Sequence, residues 1–536
     1  ASDVYKRQPP EWVFEPWAGG GGGRWRNGPL QDIALEQMAA MKKFHELDIP
    51  HSGFYAEGAG ATFYGEYKKE ELYKVVSFGE RHGFKVFSWQ FPNMTQELAQ
   101  ELLPECPKEE LPITRNKNDE EEKLPVYIDF SHPRAKELLA AQWKDRLDAG
   151  IRGSMVDFGD VVPDEAVFYD GRRGDEMHNA YAYQYAKNYR ELFEQKYGDD
   201  HVLYTRGAAP GSQHFACQFG GDQLTSFQGL KYAIAGGLSA AASGLPFWGV
   251  DAGGYDGFPD QETYLRWTEY AAFCPLMRFH GTEPREPWEY DAFTVKVYRY
   301  YTWLRENLRP YIVSVAAEAH KLGIPMMRPL AMMYPEDQEA TKVWDEYLFG
   351  EDLLVAPVSD ETEEREIYFP EGRWISLWNL NDEISGPVQR SVEVPIDKIP
   401  VYIREGSFLP LRLNESLKLG ESMSESETEM ILAVVPQNDS IVKETLYERS
   451  GAKTCCGMEK NGETIQLQIS GRTAELYVML AGIHWKNTEA IVNGRTLTKV
   501  TAREGLYFTE GYLELEEGIL VKINPSAESV IKIQKK

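Results

Sequence analysis

The 536-residue chain is poor in cysteine, with only Cys106, Cys217, Cys274, Cys455 and Cys456. The number is odd, no metal-site spacing occurs, and the adjacent pair closes ordinary disulfides poorly. That argues against a disulfide scaffold or zinc ribbon, and a reducing compartment, hence a cytoplasmic location, is expected. Positive charge is also short: 57 Lys and Arg stand against 84 Asp and Glu, a formal net charge of -27. Such a surface repels phosphate backbones and anionic lipid, so nucleic-acid and membrane partners are not expected and a neutral substrate fits better. The opening ASDVYKRQPPEW has neither an initiator Met nor an apolar signal core, which predicts a fragment lacking its natural N-terminus. Long hydrophobic runs are absent too. The longest uncharged run, between Lys231 and Asp251, is rich in Gly, Ala and Ser and contains Pro246. It predicts a buried helix followed by a strand rather than a membrane span. No fixed-period repeat is present. The glycine run from Gly19 to Gly23, before Arg24, Trp25 and Arg26, has no phosphate-loop pattern and reads as a connector, with a loop over the pocket as the alternative.

What is abundant points to a large core. Hydrophobic residues make up 42% of the chain, with 13 Trp and 30 Tyr, enough for two or three domains. Up to about residue 280, short apolar segments alternate with helix-like ones: EWVFEPW, DIALEQMAAMKKFHELDIP, HSGFYAEG, then a helical stretch and KVFSWQF. Ser131 is the expected N-cap of the helix that leads into GSMVDF, with Pro133 near its first turn. HVLYTR, HFACQFGGD, LPFWGVD and FCPLMRFHG follow as strands. Eight strands in parallel alternation predict an α/β fold, a (β/α)8 TIM barrel over residues 1–330, with an open doubly wound sheet as the alternative. An insertion after the third strand, about 93–126, carries the acidic stretch 117–123 as a solvated loop. Beyond residue 330 short strands and turns predict a proximal β-sandwich over 331–411 and a distal β-domain over 412–536.

In such a barrel the active site lies at the C-terminal ends of the strands. The candidate strand ends are polar: Glu57 in the second, Trp89 and Gln90 in the third, Asp157 in the fourth, Arg206 in the fifth, Asp222 in the sixth, Asp251 in the seventh, Arg278 and His280 in the eighth. Taken singly, each has a structural explanation as a helix cap or an ion-pair partner. Three aspartates, two arginines and a histidine converging on one rim are costly to desolvate without a ligand or mutual pairing.

The runs MVDFGDVVPDEAVFYDG, YTRGAAPGSQHFACQFGGDQ, GLPFWGVDAGGYDG and PLMRFHGTEPREPWEYD closely resemble glycoside hydrolase family 31, its α-xyloside-acting members above all, over residues 10 to 410. The resemblance implies a retaining exo-α-glycosidase without a cofactor or metal, acting on an oligosaccharide or glycoside through a covalent glycosyl-enzyme. It implies Asp157 as nucleophile and Asp222 as general acid/base. Arg206, Asp251, Arg278 and His280 would contact the sugar, with Glu57 and Trp89 lining the pocket. Retaining chemistry needs two carboxyl groups about 5 to 5.5 Å apart, Asp157 ionised and Asp222 protonated at the start. Arg206 would lower the pKa of one, and a less solvated position would raise the other.

Two features depart from the family pattern. Members usually carry a β-sandwich before the barrel, whereas this chain begins at the first barrel strand. Where xyloside-specific members place bulky residues, Gly58, Ala59 and Gly60 stand, so α-glucosides and α-galactosides remain candidate substrates. Gln223 after Asp222 resembles the sulfoquinovosidase branch, without that branch's Arg and Trp pair. Other open readings are an α-transglycosylase, a Mg²⁺-dependent lyase using the same carboxylates, and a truncated sugar-binding protein without turnover. Homo-oligomerisation is also left open.

Overall fold

The computed structural model describes residues 8–19, 30–59, 68–115, 126–424, 429–438, 440–447, 452–472, 474–507 and 509–536. They form two compact units, the first of Ala1–Trp267, Leu276–Val295 and His320–Gly323, the second of Thr268–Pro275, Lys296–Ala319 and Ile324–Lys536.

The first unit is built on eight parallel strands that close into a barrel in chain order: β1 (Trp17–Gly19), β2 (Gly53–Tyr55), β3 (Lys85–Gln90), β4 (Gly153–Val156), β5 (Val202–Thr205), β6 (Cys217–Phe219), β7 (Trp248–Asp251) and β8 (Leu276–Phe279). Pairing of Trp17 with Arg278 closes the ring. Apart from β3, every strand is buried at each residue. Side chains fill the barrel on one face and meet helices on the other, so burial runs through the strands without alternation, polar Ser154, Gln218, Asp251 and Arg278 included.

The helices follow as α1 (Leu30–Glu46), α2 (Lys69–Arg81), α3 (Ala135–Ala149), α4 (Gly174–Tyr197), α5 (Phe227–Ala242), α6 (Gln261–Ala272) and α7 (Ala292–Leu322). In α3 the buried set Ala135, Leu138, Leu139, Gln142, Trp143 and Leu147 recurs at helical spacing. Gly150, at φ 107, ends it in the left-handed region and donates its N–H to the Arg146 carbonyl. The alternation lapses once: β5 is followed only by a 3-10 turn, Ser212–His214. Between β3 and α3 an inserted segment carries the helix Gln96–Leu102 and a two-stranded ladder, Asn93–Met94 with Val126–Tyr127.

The second unit contains a six-stranded sheet in the order Met327–Pro329, Tyr347–Phe349, Leu353–Val355, Val401–Arg404, Glu364–Ser376, Glu383–Glu393. Leu348, Leu354, Ile367, Phe369, Trp374 and Tyr402 make its core. Two further six-stranded sheets, from Phe408 to Lys535, face one another across a shared core. Leu432, Val434 and Val478 come from one sheet and Ile465, Leu467 and Ile531 from the other, a β-sandwich. Here the period of two is plain: in Thr464–Ser470, Ile465, Leu467 and Ile469 are buried while Gln466 and Gln468 are exposed.

The barrel and the C-terminal β-sheet domains agree with the sequence reading, and three details differ or lie outside it. Ser131 does not cap α3; its N–H and hydroxyl both donate to Asp129 Oδ1, at 2.9 and 2.6 Å, and the helix starts only at Ala135. EWVFEPW is not one strand: Glu11–Phe14 is a 3-10 turn, and pairing begins at Trp17, directly after Pro16, which has no N–H to give a ladder. Residues 20–26, Gly60 and the acidic stretch 117–123 lie outside the described residues. The uncharged run after Lys231 is α5 followed by β7, with Leu230, Ala233, Ile234, Gly237, Leu238 and Ala241 buried on one face of the helix. Among the described residues no helix is long and apolar enough to cross a membrane.

Candidate active site

Asp157 follows the last residue of β4, and its N–H donates to the Gln90 carbonyl at 2.8 Å, continuing the β3–β4 ladder one step past the strand. The chain then turns sharply: Phe158 sits in the left-handed region at φ 56, where a bulky side chain is strained. That conformation brings the Phe158 N–H onto Asp157 Oδ1 at 2.8 Å, and the Trp89 indole N–H from β3 donates to Oδ2 at 3.0 Å. Asp157 is only 4% exposed. The strand ends on a charge whose two oxygens are both held.

Arg206, directly after β5, lies with Nη1 3.5 Å from Asp157 Oδ1 and is stacked 4.5 Å over the Phe158 ring. Burial pushes the Asp157 carboxyl above the ordinary carboxylate range; Arg206, Trp89 and the Phe158 N–H pull the other way, and the charge of Asp222 adds to the rise. Asp222, three residues past β6, is exposed. The expected contrast in solvation is therefore reversed: the arginine faces Asp157 as anticipated, but Asp157 is also the less solvated carboxyl. A strand-end residue is walled by the barrel, whereas Asp222 stands out on a loop.

Asp251 ends β7 and meets Arg278 of β8 in an ion pair whose side chains are both fully buried. The Arg278 guanidinium lies among the rings of Tyr204, Tyr55 and Phe219, at 4.7, 5.5 and 5.5 Å. Burial raises Asp251 to about 6 against the pull of Arg278. Asp251 Oδ2 and Arg278 Nε have no hydrogen-bond partner among the described residues. A buried pair with open valences is costly unless a polar ligand completes it. His280, directly after β8, packs against Tyr55 and Tyr255 at 4.4 and 5.6 Å. Burial and the charges of Arg278 and Arg285 hold it well below its ordinary pKa, hence neutral.

Glu57 opens a 3-10 turn, Glu57–Ala59, just after β2. Thus the eight residues to which the resemblance gives roles lie in a barrel strand or within three residues of its C-terminal end, and hydrogen bonds or ion pairs join Trp89, Asp157 and Arg206 in one group and Asp251 and Arg278 in another. Two site residues escaped the sequence reading as contacts. Gln223 accepts from the Asp251 N–H at 3.4 Å, and Asp160 takes Arg206 Nε and Nη2 at 3.3 and 3.2 Å. The only signal for Asp160 was a second acid three residues past Asp157.

A parallel eight-stranded barrel with carboxylates, arginines and aromatic rings converging at the C-terminal ends of its strands is the architecture of the barrel enzymes. The chain belongs to glycosyl hydrolases family 31: residues 9–315 match the family's TIM-barrel domain and residues 323–409 its C-terminal domain. It is 32% identical to an isomaltosyltransferase of Sporosarcina globispora over 75% of this chain and 39% of that protein. It is 34% identical to an α-xylosidase of Saccharolobus solfataricus over 54% of this chain and 39% of that protein. The chain thus spans about two fifths of the length of these curated relatives. In fold it resembles the cycloalternan-forming enzyme of Listeria monocytogenes, with a TM-score of 0.87 at 23% identity, covering 99% of this chain and 55% of that one.

Proposed function

We propose that the chain is a retaining exo-α-glycosidase that removes a terminal α-linked sugar, an α-xyloside or α-glucoside, with Asp157 as nucleophile and Asp222 as general acid/base. The observation that carries this reading is the Asp157 carboxylate, held by two N–H donors and facing Arg206 in a family 31 barrel. One Asp157 oxygen attacks the anomeric carbon while Asp222 gives its proton to the departing glycosidic oxygen; the glycosidic bond breaks as the glycosyl ester forms. Asp222, now the base, takes a proton from water, whose oxygen attacks the same carbon and frees Asp157. Arg206 and Trp89 favour the ionised nucleophile, and the open valences of Asp251 and Arg278 suit sugar hydroxyls. The free cysteines support a reducing, cytoplasmic setting.

Release of 4-nitrophenol from α-xyloside, α-glucoside, α-galactoside and α-sulfoquinovoside, with EDTA as a control, tests the reading. Turnover of one glycoside that survives EDTA and disappears in Asp157→Ala is the expected result. Binding of a sugar without turnover by the folded protein would instead make it a sugar-binding relative. A second reading, transfer to another sugar, is favoured by the isomaltosyltransferase likeness over three quarters of the chain. It predicts that added maltose diverts the glycosyl group from water into a longer oligosaccharide, read by chromatography of the products.

A further inference from the structure

The Arg206 guanidinium feels three carboxylates: Asp157, Asp160 and Asp222. Its closest approach to Asp157 is 3.5 Å, whereas Asp160 accepts hydrogen bonds from Nε on one oxygen and from Nη2 on the other, at 3.3 and 3.2 Å. A planar fork gripped by two hydrogen bonds to one carboxylate has its orientation fixed by that carboxylate. The surrounding backbone is built close to this group. A Cβ on Gly207 would stand 3.3 Å from the Asp160 N, so the loop after β5 lies directly on the turn after β4. A Cβ on Gly221, the neighbour of Asp222, would stand 2.9 Å from Arg206 Cδ, so the loop after β6 rests on the arginine's stem.

We propose that Asp160 is a positioning residue: its carboxylate fixes the Arg206 fork in the orientation that favours ionised Asp157 and supports the loop carrying Asp222. The inference rests on the reading of Asp157 as nucleophile. Asp157 is faced by Arg206, by Asp222, by the Trp89 indole and by the Tyr185 phenol of α4; Asp160 is faced by Arg206 and by the Tyr127 phenol. Within this set, removing the Asp160 charge has two consequences of opposite sign. As a nearby negative charge alone, its loss makes Asp157 easier to ionise and moves the acid limb of kcat/KM to lower pH. As the holder of Arg206, its loss releases the guanidinium and moves the limb to higher pH.

The test is the pH profile of kcat/KM for wild type, Asp160→Asn, Asp160→Glu, Arg206→Met and the Asp160→Asn/Arg206→Met double variant. Positioning predicts that Asp160→Asn moves the acid limb upward by about one pH unit, a roughly tenfold loss on the acid side. Asp160→Glu, which keeps the two-point grip, restores most of it, and the double variant matches Arg206→Met alone, because Asp160 acts only through the arginine. A downward shift, or an Asp160→Asn effect that persists without Arg206, overturns the inference. If wild type turns over no glycoside, the functional reading fails separately. The Asp157 titration is then read from Trp89 fluorescence as the difference from Trp89→Phe, with the same order of midpoints expected for the Asp160 variants and the reverse order overturning it.

Discussion

At Asp157 the backbone does as much as the side chain: a left-handed Phe158 turns the chain so that its own N–H caps the carboxylate. Trp89 supplies the other donor, and a hydrogen bond to a charged group carries about 1.5–3 kcal/mol. Trp89→Phe should therefore lower kcat/KM about tenfold or more and move the acid limb upward, measured by steady-state kinetics across pH. Since burial already lifts Asp157 above the ordinary aspartate value, wild type itself should lose activity on acidification at a pH above about 4. The two catalytic assignments separate by leaving group. Asp222→Ala should retain far more activity on 4-nitrophenyl glycosides, whose phenolate leaves without a proton, than on a disaccharide; Asp157→Ala should lose both alike. Equal losses in both variants on both substrates would sink the division of roles.

At the scale of elements, barrel closure depends on close strand approach. A Cβ on Gly153 of β4 would meet the Val202 carbonyl of β5 at 2.6 Å, a backbone atom that can yield only by shifting the strand. Gly153→Ala should cost about 1–3 kcal/mol, seen as a lower midpoint in urea unfolding. Element existence was legible in the sequence because short, largely apolar segments such as GSMV alternate with segments such as α3 that keep a helical period. The start of α3 was not, since the capping capacity of Ser131 is taken by Asp129, a choice set by the fold around it. The rim residues were legible as strand ends. Asp160 was not, because its partner, Arg206, is 46 residues away and the parallel pairing of β4 with β5 brings them together.

At the scale of the whole chain, the second unit joins the sandwich to the middle of α7. Asn307 donates to the Arg412 carbonyl at 3.0 Å and accepts from Gly420 N–H at 2.7 Å, and Ser314 accepts from Tyr447 N–H at 3.1 Å. A chain ending at residue 411 should thus melt several degrees lower and aggregate more readily than the full chain, as differential scanning fluorimetry and light scattering would report. A pH signature belongs to the same unit. Burial raises Glu346 to about 8 against the pull of Arg365, so the native state holds a proton that the unfolded chain releases near pH 4.5. Its stabilisation is full below about pH 4.5 and is lost as pH rises towards about 8. Glu346→Gln, which stays neutral, should flatten the fall in melting temperature between pH 5 and 8.

The sequence by itself determined the barrel, the β-rich C-terminal half and the family, because strand runs, helical periods and the motifs at strand ends are local patterns. Only the tertiary structure decided which charges share an environment. It made Asp157 the buried carboxyl and left Asp222 exposed, sealed Asp251 with Arg278, and set Asp160 on the arginine that faces Asp157. Solvation and pairing depend on which strands the closed ring makes neighbours, and residue order alone does not state those distances.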